Sequence, residues 1–62
     1  MAYISLSQET DEPRALFILR VLKEMDQLGE PYAEIDHIET VSTGDLLGRL
    51  EAEFQMLANR LG

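Results

Sequence analysis

The stretch PRALFILRVLKEMDQLG, from Pro13 to Gly29, carries more apolar surface than a short chain hides easily. On a wheel at about 100° per residue, Phe17, Leu28, Val21, Met25, Ile18, Leu22, Ala15 and Leu19 fill a continuous sector of about 200°. The apolar stripe of a surface helix is nearer to about 100° wide. Leu16 falls outside the sector, among Arg20, Lys23 and Gln27. Thr10 or Asp11 can cap this helix, and Glu12 puts negative charge near the positive end of its macrodipole. Pro13 suits a first turn, where amides lack intrahelical acceptors, and Gly29 followed by Pro31 stops the helix. The segment reads as a central helix contacted on two sides.

The chain has 62 residues with which to make those contacts. At this size the free energy of burial and the entropy of ordering the chain nearly cancel. The sequence has no cysteine, which removes disulfides and thiolate metal sites as supports. A second copy of the chain is the simplest remaining cover. The expectation is a homodimer, with residues 1–62 as a single small helical domain.

The C-terminal segment VSTGDLLGRLEAEFQMLANRLG supplies the second helix. Ser42 and Asp45 have capping-box spacing, and Val41 with Leu46 fits a hydrophobic staple. Leu47, Leu50, Phe54, Leu57 and Leu61 recur at intervals of three and four, an a/d seam two heptads long. Met56 points away from that seam and is a candidate partner contact.

Two segments are less defined. AYISLS, with Tyr3 and Ile4, suits a short strand or an extended arm. In EPYAEIDHIETV, Tyr32, Ile35, Ile38 and Val41 recur every third residue, which predicts a short helix over about 31–39. The alternative is a strand pairing with YISL, which would make the fold α+β. The reading adopted is an all-α bundle of long helix, short connecting helix and C-terminal helix, with a short N-terminal strand as an option, completed by homodimerisation. Its expected interface is Phe17, Ile18, Val21, Leu22, Met25 and Leu28 on the first helix and Leu50, Phe54, Leu57 and Leu61 on the last.

Few residues suggest chemistry. Glu34 and His37, the single histidine, have the Glu-x-x-His spacing that places two metal ligands on one helical face. Eight of the 62 residues are Glu, so this spacing arises by chance about one time in eight. No metal or other cofactor is therefore expected. Ser42 and Thr43 are explained as caps, STGDLLG lacks the spacing and lysine of a phosphate-binding loop, and no carboxylate has the apolar setting of a general acid. The chain is not expected to be an enzyme.

A net charge of −7 disfavours nucleic acid and anionic lipid and permits a basic protein partner. Glu30, Glu34, Asp36 and Glu39 cluster within ten residues without Lys or Arg, so Glu34, Asp36 and Glu39, with Met56, are the expected partner-binding residues. MAYISLSQET has no cationic region or long apolar run, so it is not read as a secretory signal, and a cytoplasmic location is expected. The leading function is a non-catalytic protein–protein interaction module acting as adaptor, assembly factor or regulatory subunit. Second comes an acidic, antitoxin-like inhibitor occupying a basic nucleic-acid site, and third a small metal-carboxylate oxidoreductase.

Overall fold

A computed structural model describes residues 4–61. It contains two helices and a three-stranded mixed sheet: β1 (Ser5–Leu6), α1 (Arg14–Leu28), β2 (Tyr32–Ile35), β3 (Glu39–Ser42) and α2 (Thr43–Leu61). The strand order is β1-β2-β3, with β1 parallel to β2 and β2 antiparallel to β3. The fold is α/β. The all-α bundle expected from the sequence does not form, and no third helix exists among the described residues.

The short helix expected over 31–39 is a β-hairpin. Asp36 and His37 both adopt left-handed backbone, at φ 54° and 60°, and the Ile38 amide donates to the Ile35 carbonyl at 3.2 Å. Two consecutive positive φ values define the turn whose twist matches paired antiparallel strands. Asp and His enter this region more readily than most side chains, though it is usually marked in a sequence by Asn-Gly or Asp-Gly. The turn interrupts the three-residue spacing of apolar side chains: Ile35 and Val41 are buried on opposite strands, whereas Ile38, at the tip, is 86% exposed. Within the hairpin Ala33 pairs with Val41 and both are buried, while Tyr32 and Thr40 are exposed.

This sheet and the first turns of α2 together cover the broad face of α1. Phe17, Ile18, Val21 and Met25 are fully buried against Ile4, Ala33, Ile35 and Val41, with Leu46 of α2 closing the cluster. Leu22, Leu50 and Leu6 pack at its margin. Leu19, at one edge of the 200° sector read from the sequence, and Leu28, the last residue of α1, remain exposed together with Leu16. The cover attributed to a second copy therefore comes from the chain's own strands and the base of α2. β1 is short, but its pairing extends beyond the strand: the Glu34 amide donates to Ile4 and the Asp36 amide to Leu6, both at 2.8 Å. Tyr3, part of the sequence signal for this strand, lies outside the described residues.

The helix ends follow local chemistry. α1 starts one residue after Pro13, whose carbonyl accepts the Phe17 amide, and no side chain caps it. Glu12, expected in the first turn, instead lies before the helix. At the other end Gly29 is left-handed, with φ 66°, and the Gly29 and Glu30 amides donate to Asp26 and Met25, a Schellman closure. α2 opens with the reciprocal bonds of a capping box: Ser42 N–H to Asp45 Oδ2 at 3.1 Å, and Asp45 N–H to Ser42 Oγ at 3.2 Å.

Phe17 and Leu16 separate the covered from the open side of α1. Phe17→Ala should lower unfolding free energy by about 3 to 5 kcal/mol, while Leu16→Ala should stay within about 0.5 kcal/mol of wild type. Urea denaturation followed by circular dichroism measures both; equal effects would contradict this packing.

Candidate functional site

The second helix outruns the body it packs on. Its first turns bury Leu46 and half-bury Leu50, whereas beyond Leu50 every described residue is exposed except the half-buried Glu53. The molecule measures 44 × 24 × 19 Å, and its radius of gyration is 12.2 Å where about 10.5 Å suits a compact chain of this length. The apolar seam does not stop where the body does. Phe54, Leu57 and Leu61 continue the face that Leu50 begins, and they are 52%, 45% and 89% exposed. Leu47 lies exposed on the same stripe nearer the body. The outer half of α2 is thus an arm with an uncovered apolar side.

The residues expected at an interface separate into three groups. Phe17, Ile18, Val21 and Met25 are core; Leu22 and Leu50 are half-buried; Leu28, Phe54, Leu57 and Leu61 are exposed. Met56 is exposed but lies off the seam. Glu53 and Arg60, which flank the seam on one side, were not singled out in the sequence. Their signal was present in the heptad, where both fall at the position just before a core residue. Neither has an ion pair or hydrogen bond among the described residues.

The carboxylates expected to bind a partner are engaged within the chain. Asp36 accepts the Gln8 amide at 3.0 Å and Arg14 at 3.3 Å. Arg49 grips Glu39 through both carboxylate oxygens. Glu34 accepts the Ser5 hydroxyl at 3.2 Å and lies 3.6 Å from His37 Nδ1. A basic partner on this surface would have to displace Arg14 and Arg49. A second carboxylate tie fixes the loop before α1: Arg20 donates to both oxygens of Glu12 and to the Ser7 carbonyl at 2.8 Å. The Arg14 and Arg20 guanidinium groups each lie 5.2 Å from the centre of the buried Phe17 ring, within cation–π range.

Ser5, Glu34 and His37 meet at the hairpin without forming a nucleophile relay. The Ser5 hydroxyl is 3.5 Å from His37 Nδ1, the same nitrogen that faces Glu34. A relay divides hydroxyl and carboxylate between the two ring nitrogens. The helical premise behind Glu-x-x-His also fails here, since the pair straddles a turn, and no group of three or more candidate metal ligands exists among the described residues. A cleft of about 290 Å³ at the end of α1 is bordered by Leu22, Asp26, Pro31 and Thr43 and opens broadly to solvent. Among the described residues no helix is long and apolar enough to cross a membrane. Comparison with protein-family models, curated proteins and solved structures gives no match to this chain.

The engaged carboxylates make an acid limb measurable. Arg20 lowers the pKa of Glu12, the Gln8 amide and then Arg14 lower that of Asp36, Arg49 lowers that of Glu39, and the Ser42 amide lowers that of Asp45. A carboxylate with a depressed folded-state pKa contributes stability that is complete above its unfolded value, about pH 4, and is lost as pH falls through the folded value. Asp36→Asn should melt lower than wild type at pH 7, and the difference should shrink steadily below about pH 4. A gap unchanged to pH 2 would mean that the Asp36 contacts do not form.

Proposed function

We propose that this chain is a non-catalytic protein–protein interaction module whose binding element is the outer half of α2. The uncovered seam of Phe54, Leu57 and Leu61, carried on a helix that continues past its own core, supports this reading. Side chains so placed gain most from a partner of matching geometry, an amphipathic helix laid along the seam. The charged flank of Glu53 and Arg60 suits a partner helix bearing opposite charges beside its apolar stripe. The sheet and α1 act as the base that directs the arm. A cytoplasmic adaptor, assembly factor or regulatory subunit fits this design.

The inhibitor reading draws on the acidity of the chain, but Asp36 and Glu39, two of the carboxylates it would use, are already paired with arginines. The oxidoreductase reading draws on Glu34 and His37, which lie together on an exposed turn.

The double variant Phe54→Gln, Leu57→Gln removes the seam while keeping helix-compatible side chains. It should retain the core, with unfolding free energy within about 0.5 kcal/mol of wild type at a dilution where wild type is uncomplexed. It should also lose association with any partner that wild type binds. Binding that survives the double substitution would refute this assignment.

A further inference from the structure

We propose that the partner of the α2 arm is the same arm of a second copy, running antiparallel, with Phe54 across from Leu57 of the other chain. This rests on the interaction reading above and identifies its occupant. Charge complementarity selects this pairing.

In an antiparallel helix pair the a residues of one helix face the d residues of the other. With Leu47, Phe54 and Leu61 at a and Leu50 and Leu57 at d, four registers are available; the one that sets Leu47 against Leu50 lies wholly on turns beside the body, which leaves three on the arm. In the first, Phe54 faces Leu50 and Leu47 faces Leu57. That register sets Glu53 against Glu53 of the other chain on one side and Glu51 against Glu51 on the other. It also draws the pairing back onto turns of α2 that already pack on the body. In the third, Leu61 faces Leu57 alone, and Arg60 meets Arg60. The second register faces Phe54 with Leu57 and Leu50 with Leu61, giving four apolar layers. It sets Glu53 against Arg60 of the other chain, twice by symmetry, and Glu51 against the neutral Ala58. Parallel pairing sets Glu53 beside Ala58 and makes no ion pair. Only the second register joins opposite charges, and neither Glu53 nor Arg60 has an ion pair among the described residues.

The same register fits the shape of the fold. The overlap runs from Leu50 to Leu61, about 18 Å of helix. It begins at Leu50, the last α2 residue packed on the core, and occupies the part of α2 that projects from the body. The two bodies then sit at opposite ends of the paired arms. Leu50, half-buried in one chain, gains its second cover from Leu61 of the other.

The test uses the purified full chain and two exposed-site variants, Glu53→Arg and Arg60→Glu, in sedimentation equilibrium at low salt. Wild type should dimerise. Each variant alone places like charges together twice and should raise the dimer Kd by about tenfold. An equimolar mixture of the two restores opposite charges at both contacts and should regain wild-type affinity as a heterodimer. A second measurement does not depend on charge. Oxidation of mixed Phe54→Cys and Leu57→Cys chains should give predominantly the mixed disulfide, because position 54 of one chain faces position 57 of the other and the chain has no native cysteine to compete. Mixtures that show no recovery, or disulfides mainly between identical variants, would overturn the antiparallel register. A wild-type chain that stays monomeric at its highest soluble concentration, yet seats a different amphipathic helix on Phe54 and Leu57, would overturn self-pairing and leave the interaction reading intact. A monomer that seats no helix would overturn both.

Discussion

The fold depends on a reversal at Asp36 and His37. Two residues in left-handed backbone bring β3 back along β2 and produce the apolar pairing of Ala33 with Val41. The Asp36 carboxylate also receives the Gln8 amide and Arg14, which ties the segment leaving β1 to the tip of the hairpin. One short turn therefore joins both ends of the sheet to the start of α1. Without it the broad face of α1 keeps only the first turns of α2 as cover within the chain, and the seam on α2 has no fixed base.

The helices were legible in the sequence because their signals are local. Gly29 before Pro31 marked the end of α1, and Ser42 with Asp45 marked the start of α2. The seam of Leu50, Phe54, Leu57 and Leu61 was visible as a heptad, and its outer part is exposed. The sheet was not legible because its signals are short or disguised. β1 has two residues, and Ala33 is too small to stand out as core. The regular spacing of Tyr32, Ile35, Ile38 and Val41 joined residues from two strands and a turn as though they were one helix. Two of the four are buried and two exposed, a split that no single helical face would give.

That misreading explains why the first helix seemed to need a second copy. Its apolar sector is as broad as the sequence indicates, and the strands within residues 31–42, together with the base of α2, cover it. The apolar surface left open lies instead on the outer half of α2, and the self-pairing proposed above uses that surface. Acidity also changes meaning once the contacts are known. Most of the cationic side chains are spent on internal carboxylates, Arg14 on Asp36, Arg20 on Glu12 and Arg49 on Glu39, and these pairs hold loops and helix ends in place. The cluster that looked like a docking patch is largely internal wiring.

β3 ends at Ser42 and α2 begins at Thr43, with no loop between them and with reciprocal hydrogen bonds across the junction. The arm therefore inherits its direction from the strand. A tether of several residues would let two joined bodies tumble independently; if the arms pair as proposed, this junction would make the pair a rigid bracket with a set span and angle between its sheets. Any surface on one body would then be displayed twice at a fixed spacing. Such a bracket would engage a repeating or two-fold target far more strongly than an isolated site, because the second contact forms at high local concentration.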